Sequence, residues 1–205
     1  DTGARSTTNT TTEPTPPWGW PHRRSPQFEG IDTPLFVGYD YSFLAPKART
    51  KQESLRIAHE AGVVCTDEYL LHPDPYPSRD AWCRDRVKLT EERLAAVPDG
   101  HHTILVNHYP LVREPTRVLR HPEFAQWCGT ELTADWHRRF RAAAVIYGHL
   151  HIPRVTWHDG VRFEEVSIGY PREWRPRPPR SPLRKVWLHP PAGGEHARVT
   201  QARSH

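Results

Sequence analysis

Between residues 51 and 97 the apolar positions of the chain recur at helical spacing. KQESLRIAHEAG (51–62) reads as an amphipathic helix stopped by Gly62. From Arg79 to Val97, the set Cys83, Val87, Leu94 and Val97, with Trp82 and Leu89 beside it, marks one face of a longer helix that Pro98, Asp99 and Gly100 end. The turn-rich HPDPYPS (72–78) separates the two. Elsewhere the pattern is that of strands. LFVGYDYSF (35–43) is aromatic and β-branched, and TILVN (103–107) and AVIYG (144–148) are short apolar runs that each hand over to a histidine. RVTWHDGVRFEEVSIGY (154–170) predicts a hairpin turned at Asp159-Gly160, TADWHRRFRAA (133–143) a helix with Thr133 as its N-cap, and KVWLH (185–189) a last strand. Helices and strands alternate, so the predicted class is α/β with an antiparallel pair towards the end.

Composition divides the chain into three parts. Residues 1–30 hold seven Thr and five Pro with scarcely an aliphatic side chain, which predicts a disordered segment. Residues 31–175 form the expected domain, and 176–205 a Pro/Arg-rich tail. The formal charge of +4 does not describe the domain. Residues 171–205 carry a surplus of six positive charges, whereas 31–170 sum to minus two. That distribution argues against nucleic acid as a partner. No window approaches the roughly 18–20 consecutive apolar residues of a membrane span, and no signal peptide is visible, so the expected location is cytoplasmic. The three cysteines, Cys65, Cys83 and Cys128, fit neither a disulfide framework nor a CxxC zinc pattern and read as reduced core thiols. The chain contains no Met, which suggests that it begins inside a longer reading frame.

The candidate chemistry lies where strands meet histidines. A bare His-x-His is weak evidence in a chain with 14 His, but His149-Leu150-His151 follows both a five-residue apolar strand and a glycine. His108 stands at a second such junction. In α/β sheets the crevice beyond the carboxyl ends of strands is where ligands bind, so these three imidazoles can converge there. Imidazole suits zinc, iron or manganese rather than calcium or magnesium. A metal pair also needs a carboxylate, and the acids at plausible strand ends are Asp40 and Asp159. Asn107 either orients His108 or caps the strand end, Tyr109 is placed to touch substrate, and Asp40 serves either the pocket or a turn. Trp82, Trp127, Trp136 and Trp157 read as core aromatics.

The blocks TILVNHYPL and VIYGHLH resemble the third and fourth signature regions of the calcineurin-like metallophosphoesterases. That resemblance implies a sandwich of two mixed β-sheets flanked by helices, of which this chain carries the C-terminal two-thirds. It also implies two divalent metal ions (Mn, Fe or Zn), with His108 and His149 on one ion and His151 on the other. Activity would fall below about pH 6, where free imidazole takes up a proton. On that pattern the family's upstream Asp-x-His, its Gly-Asp, and its Gly-Asn-His with the proton-donating His are expected to be missing between Asp1 and His102.

Longer stretches resemble a branch of that family, the actinobacterial 4'-phosphopantetheinyl hydrolases. They are YDYSFL, TDEYLL, PYPSRDAWC, EFAQWCGT, TADWH, GHLHIPR and DGVRFEEVSIGYPREWR. The resemblance implies a cytoplasmic phosphodiesterase that releases 4'-phosphopantetheine from holo-acyl carrier protein. Carrier proteins are acidic, so Arg172, Arg175 and Arg177 would steer them, and Arg172 is also a candidate substrate-binding residue. Two other readings predict different behaviour: a truncated fragment without activity, and a binding module that acts through its basic tail.

Overall fold

The computed structural model describes residues 30–175. Expectations placed on residues 1–29 and 176–205, among them the KVWLH strand and Arg177, lie outside the described residues. Among the described residues, five strands form one mixed sheet in the order β1-β2-β3-β5-β4. They are β1 (Gly30–Pro34), β2 (His102–Val106), β3 (Ala142–Tyr147), β4 (Arg154–His158) and β5 (Val161–Glu165). β1, β2, β3 and β5 run parallel, and β4 returns antiparallel along β5. The hairpin turns at Asp159 and Gly160, both at positive φ (50° and 77°), as the Asp-Gly pair predicts. β2 buries three successive residues, Thr103, Ile104 and Leu105, as expected of a parallel strand covered on both faces.

Two longer helices follow the predicted periodicity. In α1 (Lys51–Glu60) the Thr50 side chain accepts from the Glu53 N–H, and Gly62 beyond its end takes φ +68°. Among the described residues the second longer helix is α3 (Arg79–Ala95), and α2 (Asp67–Leu70), α4 (Trp136–Arg139) and α5 (Pro171–Trp174) are four residues each. Ser78 caps α3 by accepting from Ala81 N–H, and Cys83, Val87 and Leu94 pack with Leu105, Val145 and Phe163 in the main core. A smaller cluster joins Tyr39, Tyr41, Ala58, Val63, Cys65 and Trp127. All three cysteines are buried and free, and burial pushes the Cys65 and Cys83 thiols up to about 12.

Three expectations need correction. LFVGYDYSF is not a strand; pairing ends with Leu35 N–H donating to Val106 O, and the buried Val37, Tyr39, Tyr41 and Phe43 enter the cores from a loop. Their composition reflects burial, not ladder bonding. The helix over 133–143 shrinks to a 3₁₀ turn (Glu131–Thr133) and the single turn of α4. There Thr133 is no cap, since its hydroxyl donates to Leu111 O and Thr130 O, and the pairing of Ala142 with Thr103 claims the rest as β3. Finally, Trp157 is 63% exposed on the edge strand β4, whereas Trp127 and Trp136 are buried and Trp82 is half-buried.

Candidate metal centre

β2 and β3 are neighbours, so their carboxyl ends deliver Asn107-His108 and Gly148-His149 side by side. The Gly148 N–H donates to the His108 carbonyl (3.0 Å), which ties the two turns together. His149 then adopts φ +72° and His151 φ +56°, a left-handed conformation uncommon outside glycine. The result brings His108 Nε2 within 3.1 Å of His149 Nδ1.

This spacing suits a shared cation. Zinc–nitrogen bonds of 2.0–2.1 Å place two ligand nitrogens on one ion roughly 3.0–3.4 Å apart. Without an ion, one ring must donate to the other. His149 Nε2 is buried with no hydrogen-bond partner among the described residues. Burial, and secondarily the positive charge of His108 and His151, holds the His149 imidazole down at about 3, and burial also lowers His108. Both rings are therefore neutral ligands-in-waiting at pH 7. The donor set fits an ion in part. Among the described residues no group of three or more His, Cys, Asp or Glu is placed to hold a metal ion, and the His151 ring stands edge-on to Tyr170 at 4.6 Å.

Tyr109 packs against both histidines, with ring centroids at 4.7 Å from His108 and 4.5 Å from His149. Its hydroxyl donates to Asp67 Oδ2 at 3.3 Å. Asn107 caps the strand end: its Oδ1 accepts from Val37 N–H, and its Nδ2 donates to Val37 O and Tyr109 O. Asp40 closes a local turn, accepting from Ser42 N–H and Oγ. Asp159 lies at the hairpin, bound to His137 Nε2 at 2.9 Å, at the opposite end of β5 from the crevice. It is not placed to bridge metals there. Arg172 is exposed and lies 5.2 Å over the Tyr170 ring, beyond His151.

Sequence reading missed two carboxylates that act on His108. Asp67 and the fully buried Glu165 both favour its protonated form, against the larger effect of burial. Glu165 had a signal only in its position, at the end of the second arm of the predicted hairpin; Asp67, on the four-residue α2, had none. The expectation that no Asp-x-His lies between Asp1 and His102 needs correction, because Asp99-Gly100-His101 is one. It precedes β2, at the other end of the strand from His108, where Asp99 faces Arg141.

A family model described as calcineurin-like phosphoesterase matches residues 26–153. The chain is 56% identical over 171 residues to the [acyl-carrier-protein] phosphodiesterase PptH of Mycobacterium tuberculosis, which covers 83% of this chain and 52% of the relative. The crystal structure of phosphopantetheinyl hydrolase (PptH) from that organism matches with a TM-score of 0.75 and 57% identity, over 78% of this chain and 57% of the other. The chain spans about half the length of the curated relative it matches. No helix among the described residues is long and apolar enough to cross a membrane. With a family match over most of the chain and its strand-end histidines paired, this protein belongs to the calcineurin-like phosphoesterase family.

Proposed function

We propose that the chain carries the histidine part of a metal-dependent phosphodiesterase site whose substrate is holo-acyl carrier protein and whose product is free 4'-phosphopantetheine. The approach of His108 Nε2 to His149 Nδ1 at 3.1 Å carries the reading, and the identity to the mycobacterial phosphodiesterase supports the substrate. His108 and His149 hold one divalent ion, and His151 contributes to a second; Mn, Fe and Zn are the candidates. When bound, such ions polarise phosphoryl oxygens and lower the pKa of water, which is the chemistry diester hydrolysis needs.

The protein's own part is positional. Burial keeps both rings neutral, Tyr109 fixes their planes by packing across them, and Asn107 locks the strand end from which His108 projects. Arg172 and Arg175, exposed at α5, attract the acidic carrier. The site operates in the cytoplasm, where carrier proteins are loaded.

The test is mass spectrometry of holo-acyl carrier protein incubated with Mn²⁺ and the chain. Loss of the phosphopantetheine mass, abolished by His149→Ala, is expected. A carrier that stays holo, or hydrolysis retained by His149→Ala, would contradict the proposal.

A further inference from the structure

A cavity of about 230 Å³ opens at the carboxyl ends of β1 and β2, and His108 and Tyr109 form part of its wall. Leu35, Phe36, Val37, Leu71 and Trp82 supply most of the remainder. Its polar lining residues are largely committed elsewhere. Arg79 donates to Leu71 O and Glu68 O, and the Asn107 amide is taken up by Val37 and Tyr109. The exception is Arg86, whose guanidinium lies 4.9 Å over the Phe36 ring and donates through Nε to Phe36 O. Its Nη groups meet no acceptor among the described residues.

Gly38, on the same wall, is unexplained by the backbone. Its φ is not in the left-handed region, and a Cβ built there meets nothing within 4 Å. Neither conformation nor packing calls for glycine; what the missing side chain leaves is the open space itself. The volume is below the roughly 300–1,000 Å³ of sites for compact drug-sized ligands, which suits a slender chain better than a fused ring system.

We propose that this cavity receives the pantetheine arm of the substrate, an uncharged, flexible chain carrying two amides and a gem-dimethyl group. Apolar walls hold its methylene and methyl groups, Arg86 offers donors to an amide carbonyl, and the end of the arm that bears phosphate lies towards His108. The assignment rests on the phosphodiesterase reading and names the subsite that reading lacks.

Isothermal titration of the metal-free chain with pantetheine, the phosphate-free alcohol, tests the cavity without any turnover, so its failure is distinct from a failure of hydrolysis. Saturable binding is expected with a dissociation constant on the order of 0.1–1 mM. Gly38→Ala should weaken it and Gly38→Leu weaken it about tenfold or more, with melting curves checking that each variant folds. No saturation by about 10 mM, or Gly38→Leu binding as tightly as the parent, would overturn the proposal. If Gly38→Leu does not fold, the Trp82 indole resonance of the parent decides: it should shift on adding pantetheine, and an unmoved resonance overturns the assignment.

Discussion

His108 Nε2 and His149 Nδ1 stand 3.1 Å apart, although 41 residues separate them in sequence. The approach follows from topology. Parallel neighbours end at the same edge of the sheet, and the Gly148 N–H bond to the His108 carbonyl sets the two turns in register. A side chain at Gly148 would meet Ser167 Oγ at 3.1 Å and the His108 carbonyl at 3.7 Å, so the close approach there favours glycine.

Acid should reveal how strongly the His149 ring resists protonation. An unfolded imidazole takes a proton near pH 6.5, whereas folded His149 resists protonation down to about 3. Between those values the unfolded chain binds more protons, so stability is complete above about pH 6.5 and declines as pH falls towards 3. The melting temperature of the metal-free chain should follow that course. By NMR, the His149 ring should show no titration between about pH 8 and 4.5. Metal affinity at this residue should then outlast the pH 6 limit expected of a free imidazole.

Asn107 extends the β1–β2 ladder by one rung made from a side chain. Asn107→Ala strands the Val37 N–H and two carbonyls in a buried setting, and should cost about 2–4 kcal/mol in denaturant unfolding. Asn107→Asp keeps the acceptor but loses both donations, so it should also destabilise.

Tyr109 acts through its ring. Tyr109→Phe removes only the 3.3 Å bond to Asp67 and should change stability by less than about 1 kcal/mol, whereas Tyr109→Ala should cost about 2–4 kcal/mol. The Phe variant should also hold metal about as well as the parent, and the Ala variant should not.

Charge reversal at α5 tests carrier recognition. At low salt, Arg172→Glu together with Arg175→Glu should raise KM for holo-carrier several-fold. Turnover of a small chromogenic phosphodiester should be unchanged.

The sequence revealed what local pattern encodes. The stripe Cys83, Val87 and Leu94 located α3, the Asp159-Gly160 pair located the hairpin, and two apolar runs ending in histidine located the strand ends of the site. Long-range contacts were not legible. Nothing near Asp67 predicts that its carboxylate meets the Tyr109 hydroxyl 42 residues away. The loop over 35–43 mimicked a strand because buried loops need the same aromatic and branched side chains that strands do. The helix expected at 133–143 failed because sheet pairing at Ala142 outweighs helix propensity.

Zn²⁺ affinity of the chain, measured by competition with a chromogenic chelator, tests the central claim most directly. His108→Ala and His149→Ala should each weaken binding at least about tenfold, and together they should weaken it no further than removal of one shared ion allows. Binding that is unchanged in both single variants would contradict a cation held between these two rings.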